Sequence, residues 1–246
     1  MTPRDRYVER TYRALQDTGA LATFQVREAE SDLWIASKRD GSRAAREALL
    51  AVRGEIQDYI KARPRFAESL EPVEPDGAAP EIIQWMIAAG RAAGVGPMAA
   101  VAGAVAEGVG RALLADGAEE VIVENWGDLF LASRAPRTVA IFAGASPLSM
   151  RVGLRIAAEA TPLGVSTSSG TVGPSLSQGR ADAAVAVAAD ACLADAAATA
   201  LGNRVESADD LDAALAFARG IDGLAGALII MGEKLGAWGG LEIVRL

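Results

Sequence analysis

Histidine is absent from all 246 residues of the sequence. Its absence excludes Ser-His-Asp and Cys-His catalysis, imidazole acid–base chemistry and every metal site that needs a histidine ligand. Any chemistry must therefore use carboxylates, hydroxyls, Lys, Arg, backbone groups or a metal bound by oxygen atoms. The single cysteine, Cys192, cannot form an internal disulfide, which favours a reducing compartment. Its Ala and Leu neighbours predict a buried core residue rather than a nucleophile.

Basic residues and aromatic residues are also scarce. The chain has 24 Lys and Arg against 32 Asp and Glu, a formal net charge of −8, and no basic stripe. An acidic surface repels phosphate backbones, so we expect no nucleic-acid partner. The first residues are charged and lack an apolar run, which argues against a secretion signal. The most apolar long stretch, residues 95–114, is rich in Ala and Gly and contains Glu107 and Arg111. We therefore expect a buried helix there, no membrane partner and a cytoplasmic protein.

What remains is the composition of a folded protein, with 51% hydrophobic and 23% charged residues. Apolar residues at helical spacing predict helices over residues 42–63, 81–93, 98–115, 191–201 and 207–219. Ser42 is the expected N-cap of the first helix, and Ser207 with Asp210 forms an expected capping box at the last. Short apolar runs predict strands at residues 23–27, 33–37, 121–124, 129–132, 138–142, 153–156, 164–167, 183–188, 227–231 and 241–245. This mixture predicts an α+β fold, a mixed sheet with packed helices, in one domain over residues 1–246.

Two glycine-containing turns are candidate ligand sites. In residues 124–128 the side chains of Asn125 and Asp128 leave the predicted sheet together around Gly127. Such side chains bind the hydroxyl or amine groups of a ligand, or equally stabilise the turn through bonds to its own backbone. Gly96 lies just before a predicted helix, where free amides suit a phosphate, although a plain turn between helices is favoured.

Residues 166–177 form a polar tract rich in Ser, Thr and Gly. Five of the six residues from Ser166 to Thr171 carry a hydroxyl, which is more than an ordinary loop has. Hydroxyls on a flexible backbone can bind an anion or a nucleotide. The candidate ligand-binding residues of this tract are Thr167, Ser168, Ser169, Gly170 and Thr171.

Asp195 and Thr199 are one helical turn apart, so their side chains share one face of the predicted helix. A carboxylate and a hydroxyl in this arrangement can bind Mg²⁺, which prefers oxygen ligands and retains some of its waters. The alternative is that Thr199 bonds its own backbone while Asp195 is solvated or caps. We further expect the tract, the turn at Asp128 and Asp195 to surround one site, because each is the polar end of an apolar segment.

Together, these segments resemble the ApbE-like superfamily, whose members include FAD:protein FMN transferases. The resemblance covers residues 94–203. It consists of a glycine-containing helix, the strand and turn at residues 121–129, the Thr-Ser-Gly-like loop at residues 166–170, a Val-x-Val strand and an Ala-Asp-x-x-Ala-Thr helix at residues 194–199. The match is closer still to a small uncharacterised branch of cytoplasmic proteins, through residues 96–103 and 168–173.

The resemblance implies an ApbE-like fold, an FAD site and a Mg²⁺ site. Carried over residue by residue, it implies that Asp195 and Thr199 hold Mg²⁺. The ligand residues that it implies are Asn125, Asp128, Thr167, Ser168 and Gly170. Three departures stand out: Trp126 replaces a turn glycine, Ala102 replaces the Lys before Gly103, and the histidine after the loop is missing.

These departures predict a protein that binds a flavin- or nucleotide-type ligand with Mg²⁺ but lacks the usual flavin transferase activity. Two alternatives remain. One is a divergent Mg²⁺-dependent transferase or hydrolase that acts on a diphosphate such as FAD. The other is a non-catalytic scaffold with a decayed site. A homo-oligomer is compatible with each of them.

Overall fold

The computed structural model describes residue 13 and residues 17–170 and 179–246. Two kinds of element make up the fold. The strands are β1 (Ala22–Glu28), β2 (Ser31–Ser37), β3 (Val121–Asn125), β4 (Asp128–Ala132), β5 (Arg137–Ala140), β6 (Val152–Ile156), β7 (Leu163–Ser168), β8 (Ala183–Ala188), β9 (Leu224–Met231), β10 (Lys234–Gly239) and β11 (Glu242–Arg245). The α-helices are α1 (Ser42–Ala62), α2 (Arg65–Glu68), α3 (Glu81–Ala93), α4 (Val101–Ala115), α5 (Ala191–Gly202) and α6 (Leu211–Ala218). The predicted α+β class, a sheet with packed helices, is confirmed.

Eight strands form one sheet in the order β1-β2-β3-β4-β7-β8-β9-β10. Every neighbouring pair is antiparallel, so the sheet is an antiparallel meander rather than a mixed sheet. A second sheet of three strands has the order β11-β6-β5. Because side chains alternate along a strand, the central strands of the large sheet present one face to the helices and the other to the small sheet.

The two faces of the large sheet bury different cores. On one face, Val123 and Phe130 pack with α1, α3, α4 and α5. On the other face, Leu129 and Val165 pack with residues of the small sheet, including Leu154. Position on a strand therefore decides whether a side chain faces the helices or the small sheet.

Small residues allow α4 and α5 to lie close to their neighbours. A Cβ on Gly110 would lie 2.2 Å from the Phe130 ring of β4. A Cβ on Gly103 would lie 2.1 Å from the Ala191 carbonyl oxygen of α5. Residues 97–115 are the one helical stretch of the described chain that is long and apolar enough to cross a membrane by length and composition alone. It packs against α1, α5, β3 and β4, which confirms the predicted core helix.

Several predicted helix ends need correction. Gly41, not Ser42, is the N-cap of α1, because Asp40 Oδ1 already accepts the Ser42 backbone amide at 2.9 Å. The third predicted helix begins with a 3₁₀ turn, Pro97–Ala100, before α4. The capping box of Ser207 and Asp210 is confirmed, although it opens a short 3₁₀ turn that leads into α6.

Candidate functional site

Asp128 and Ser166 lie directly opposite each other on the helix face of the large sheet. They are register partners in the β4–β7 pair. Asp128 shares its face with Phe130, which packs against the helices. Both side chains are buried, with 7% of Asp128 and none of Ser166 exposed. The turn and the polar tract, 38 positions apart in the sequence, thus meet inside the fold.

Asp195 enters the same region from α5. Gly164 of β7 lets this helix approach, because a Cβ there would lie 2.4 Å from the Ala191 Cα atom. The Asp195 Oδ2 atom accepts a hydrogen bond from the Gly103 backbone amide of α4 at 2.8 Å. Its side chain is buried. Asp195 is therefore fixed between α4, α5 and the sheet.

Burial changes the acidity of both carboxyl groups. Loss of water raises the pKa of Asp195 to about 7, although the Gly103 and Ala102 backbone amides stabilise its charged form. Burial and then the nearby charge of Asp195 raise the pKa of Asp128 well above its usual value. Ser166 lies close enough to oppose this rise, but its Oγ atom does not meet hydrogen-bond geometry. The two acids therefore titrate as an interacting pair.

Asn125 completes this group from the end of β3. Its Nδ2 atom donates to the Ala102 carbonyl oxygen at 3.1 Å. Its Oδ1 atom and the Ser166 Oγ atom are buried and lack a hydrogen-bond partner. Buried polar atoms almost always have partners, so these two oxygens near two buried carboxyls remain open to a ligand, an ion or a water. We call Asn125, Asp128, Ser166 and Asp195 the buried polar cluster.

The cluster offers only oxygen ligands. Carboxylate, amide and hydroxyl oxygens are the groups that hard cations such as Mg²⁺ prefer. Within the described part of the chain, no three His, Cys, Asp or Glu side chains come together as a metal group. Two protein carboxylates with neutral oxygens fit an ion that also retains waters or contacts a phosphate.

The turn between β3 and β4 is a two-residue hairpin turn. Trp126 and Gly127 have φ values of 59° and 97°, as tight hairpin turns of the primed types require. Glu124 Oε1 accepts the Gly127 backbone amide at 2.7 Å. The Trp126 indole Nε1 donates to the Glu30 carbonyl oxygen at 2.9 Å. Trp126 therefore reaches towards the β1–β2 turn.

The remaining predicted residues have different positions. Thr167 alternates with Ser166 along β7, so its side chain faces away from the cluster. Ser168 is on the cluster face and lies against Gly202 at the end of α5. Thr199 is half-buried, one turn after Asp195. Gly170 donates its amide to the Ala181 carbonyl oxygen at 2.9 Å.

The structure also gives the positions of Ser169, Gly96 and Cys192. Ser169 is buried next to the end of β7, and Thr171 lies outside the described residues. The Gly96 amide donates to the Leu70 carbonyl oxygen at 2.8 Å, so it is not available to a phosphate. This contact favours the plain-turn interpretation of that segment. Cys192 is a buried free thiol, as predicted.

Sequence reasoning predicted the close approach of Gly103 but missed its hydrogen bond to Asp195 and the position of Ser166 opposite Asp128. Ser166 belongs to the polar tract, but only the strand pairing shows that it, rather than a neighbouring residue, lies opposite Asp128. Gly103 has no side chain, so the signal for its close approach was the abundance of small residues in residues 97–104.

A surface cavity of about 430 Å³ lies apart from the cluster, between α3, α4 and the start of α5. Arg111 and Trp85 line it. Glu107, another lining residue, accepts the Ala191 amide at 2.6 Å and the Arg111 Nε at 2.7 Å. Burial raises the pKa of Glu107. Through these contacts Glu107 links α4 to the N-terminus of α5.

Comparisons with known proteins agree on the family. A family model described as "AbpE bacteria" matches residues 13–234. A "UPF0280 protein" of Methanocella arvoryzae is 45% identical over 200 residues, which are 81% of each chain. A "UPF0280 protein" of Methanosarcina acetivorans is 43% identical over 197 residues, covering 80% of this chain and 78% of the relative.

Two crystal structures share the fold at low sequence identity. The apo form of the Pseudomonas stutzeri flavinyl transferase ApbE has a TM-score of 0.52 at 15% identity, covering 89% of this chain and 94% of that one. The ApbE protein of Thermotoga maritima has a TM-score of 0.54 at 13% identity, covering 88% and 96%. The chain therefore belongs to the ApbE-like superfamily, in its small UPF0280 branch.

Proposed function

We propose that the protein binds FAD or a closely related flavin nucleotide together with Mg²⁺ at the buried polar cluster. The observation that carries this proposal is the pair of partnerless buried oxygens, Asn125 Oδ1 and Ser166 Oγ, beside the carboxyls of Asp128 and Asp195. A flavin-related function is supported at the family level, because the solved ApbE neighbour is a flavinyl transferase by name. The ion, the nucleotide and the residues are our proposal.

In this proposal Asp195 and Thr199 hold the ion from α5, and Asp128 lies across from them on β4. Bound Mg²⁺ would neutralise part of the negative charge of a diphosphate. The Gly103 amide holds the Asp195 carboxyl in a fixed orientation, so little reorganisation is needed on binding. The Asn125 amide nitrogen is already committed to the Ala102 carbonyl, which leaves its oxygen for the ligand or the ion.

The segment after β7 would approach the nucleotide. Ser168 lies on the cluster face of the sheet, and Ser169, Gly170 and Thr171 follow it in the chain. Hydroxyl groups there can donate to phosphate oxygens, whereas the Gly170 amide already donates to the Ala181 carbonyl oxygen. Thr167 is not part of the proposed nucleotide site, because strand alternation turns its side chain to the other face of the sheet.

We propose binding without the usual FMN transfer. The chain has Ala102 where the transferases have a Lys, and it has no histidine. A base that takes the proton of an acceptor hydroxyl would then have to be one of the two carboxylates.

That pair favours one second candidate, a Mg²⁺-dependent enzyme that splits or transfers from a diphosphate such as FAD. In that enzyme Asp195 would hold the ion and Asp128 would serve as the base. Burial raises the pKa of Asp128 well above its usual value, and a general base works best when its pKa lies near the operating pH. Incubation of the protein with FAD and Mg²⁺, followed by chromatography, separates the two candidates. Release of FMN and AMP supports the enzyme, and unchanged FAD supports the binding protein.

Replacing Asp195 by Asn tests the metal role. The amide retains an oxygen for the Gly103 amide but loses the negative charge, so we expect FAD to stabilise the variant equally with and without Mg²⁺. In the wild type, Mg²⁺ should increase the shift in Tm that FAD causes. Replacing Thr199 by Val should weaken this Mg²⁺ effect less, because a neutral hydroxyl is the poorer ligand. Thermal unfolding measured with FAD, with and without MgCl₂, gives the result.

Asp212→Ala is the matched control, because it removes an exposed carboxylate from α6. This variant should respond to FAD and Mg²⁺ as the wild type does. A wild-type protein that FAD, FMN and other nucleotides fail to stabilise under any condition contradicts the proposal and favours the scaffold alternative.

The affinity for Mg²⁺ should depend on pH. Mg²⁺ binds the ionised carboxyl, and the pKa of Asp195 is about 7 in the folded protein. Below that pKa a proton must leave before the ion binds. The apparent Kd for Mg²⁺ should therefore rise by about tenfold for each unit by which the pH is lowered. Above it, this proton no longer affects the Kd. Isothermal titration with Mg²⁺ and FAD from acidic to alkaline pH measures the slope, and a flat profile below neutral pH contradicts it.

A further inference from the structure

Glu124 is a fully buried charge beside the cluster. It immediately precedes Asn125 on β3, and its side chain has no exposed surface. Strand alternation places Glu124 on the face opposite Asn125. Its two oxygens have separate partners: Oε1 accepts the Gly127 backbone amide at 2.7 Å, and Oε2 accepts the Arg13 Nε at 2.6 Å. Glu124 thus joins the β3–β4 turn to Arg13.

Arg13 spans two turns at this end of the sheet. Its guanidinium also donates to Asp32 Oδ1 at 3.1 Å and to the Asp32 carbonyl oxygen at 2.7 Å. Only 8% of its side chain is exposed. Arg13 therefore ties the start of β2 to the end of β3 from outside the sheet's own strands. The planar fork of an Arg directs its donors to all three oxygens from one plane, a geometry that the compact ammonium of a Lys does not reproduce.

The turn needs this support for two physical reasons. A buried carboxylate that loses its counter-charge is strongly destabilised, so Glu124 without Arg13 would move towards water. Its movement would release the Gly127 amide. Trp126 holds a left-handed conformation, with φ of 59°, that a bulky residue adopts only when its surroundings enforce it.

We propose that Arg13 is a positioning residue for the buried polar cluster. Through Glu124 and the Gly127 amide it fixes the turn between β3 and β4, whose flanking residues are Asn125 and Asp128. The inference rests on the proposed function where it concerns ligand affinity. Its structural part, the control of the turn by Arg13, stands independently.

The test compares Arg13→Met with Arg53→Met in the full-length protein. Arg53 is the matched control, because it binds the β1–β2 turn through Ser31 Oγ and Glu30 Oε2, both at 2.7 Å. Hydrogen exchange of the Gly127 amide by NMR reports on the turn without any ligand. Flavin fluorescence with Mg²⁺ reports the Kd for FAD.

We expect Arg13→Met to accelerate Gly127 exchange by ~10-fold or more, since the turn then opens locally. The Kd for FAD should rise by a similar factor because Asn125 and Asp128 are no longer fixed. Arg53→Met should change both quantities less than ~2-fold, even where it lowers the Tm comparably. Arg13→Lys should fall between the wild type and Arg13→Met, because it preserves the charge and loses the fork.

The Glu124→Gln background shows whether Arg13 acts through Glu124. A Gln oxygen can still accept the Gly127 amide and needs no counter-charge, so Arg13→Met should there change Gly127 exchange by less than ~3-fold. This double variant also stays informative where Arg13→Met alone does not fold. An equal effect of Arg13→Met in both backgrounds, or unchanged Gly127 exchange in Arg13→Met, overturns the inference.

Failure of the proposed function gives a different experimental result from failure of the inference about Arg13. In that case the wild type does not bind FAD, while the Gly127 exchange data still support or overturn the role of Arg13. Binding of FAD to Arg13→Met with the wild-type Kd, together with accelerated Gly127 exchange, overturns the link between the turn and the site.

Discussion

Replacing Asp128 by Asn should make the ligand-free protein more stable at alkaline pH and should remove its Mg²⁺-dependent affinity for FAD. Burial and the charge of Asp195 raise the pKa of Asp128 well above its unfolded value. A carboxyl with a raised pKa lowers the free energy of unfolding as pH rises from its unfolded pKa towards its folded pKa. The advantage of the Asn variant should therefore be absent at about pH 4 and grow towards pH 8.

The expected gain at alkaline pH is roughly 1–3 kcal/mol, the order of the desolvation penalty of a buried polar group. For a chain of this length each kcal/mol corresponds to about 2–4 °C in Tm. The Asn amide can also donate to Ser166 Oγ, which lacks a partner in the wild type. Stability would then rise as function is lost, which is the usual sign of a group retained for a ligand.

Thermal unfolding of both proteins across this pH range, with and without FAD and Mg²⁺, measures the two effects. Asp58→Asn is the control. Asp58 is 78% exposed on α1 and pairs with Lys61, and exposed ion pairs contribute little to stability. An Asp128→Asn variant that is less stable than the wild type at pH 8, or that retains Mg²⁺-dependent binding of FAD, contradicts the role given to Asp128.

Replacing Gly103 by Ala should have the opposite effect, a loss of both stability and binding. The added Cβ would lie 2.1 Å from the Ala191 carbonyl oxygen and 2.9 Å from the Asp195 Cβ. The nearest of these atoms is backbone, so α4 and α5 must move apart. We expect a loss of roughly 3 kcal/mol, at the upper end for overpacking a core. The hydrogen bond from the Gly103 amide to Asp195 would be displaced as well.

Gly54→Ala on α1 is the matched control for that change. A Cβ on Gly54 meets nothing within 4 Å. Ala favours the helix over Gly, so this variant should gain about 0.5–1 kcal/mol. Urea unfolding measures both free energies, and titration with Mg²⁺ and FAD measures binding. A Gly103→Ala variant as stable as the wild type would contradict the tight contact between α4 and α5.

Local patterns in the sequence predicted most of the secondary structure. The helix Glu81–Ala93 and the strand Ala183–Ala188 have the predicted bounds. The helix is an amphipathic segment between Pro80 and Gly94, and the strand is a continuous apolar run. The strand Lys234–Gly239 was missed, since its two glycines weaken the strand signal. Its existence depends on pairing with β9, which tertiary structure supplies.

The site could be predicted only in part for the same reason. The residue types and helical spacing pointed to Asp195 and Thr199, and the turn pointed to Asn125 and Asp128. The sequence does not contain the pairing of β4 with β7, which passes over β5 and β6 and brings Ser166 to Asp128. Strand register likewise decides whether a side chain of the polar tract points to the helix face of the sheet or to the opposite face.

The small sheet has a consequence for the order in which the chain can complete its fold during synthesis. Its central strand, β6, pairs with β5 on one side and with β11, the last strand in the chain, on the other. Until β11 has left the ribosome, one edge of β6 lacks its partner, and unpaired edges invite pairing with other chains. In the eight-stranded sheet, consecutive strands pair with each other apart from the step from β4 to β7, so each edge is covered as the next strand is made. The nascent chain would thus expose one edge of β6 over the long interval between the synthesis of β6 and that of residues 242–245.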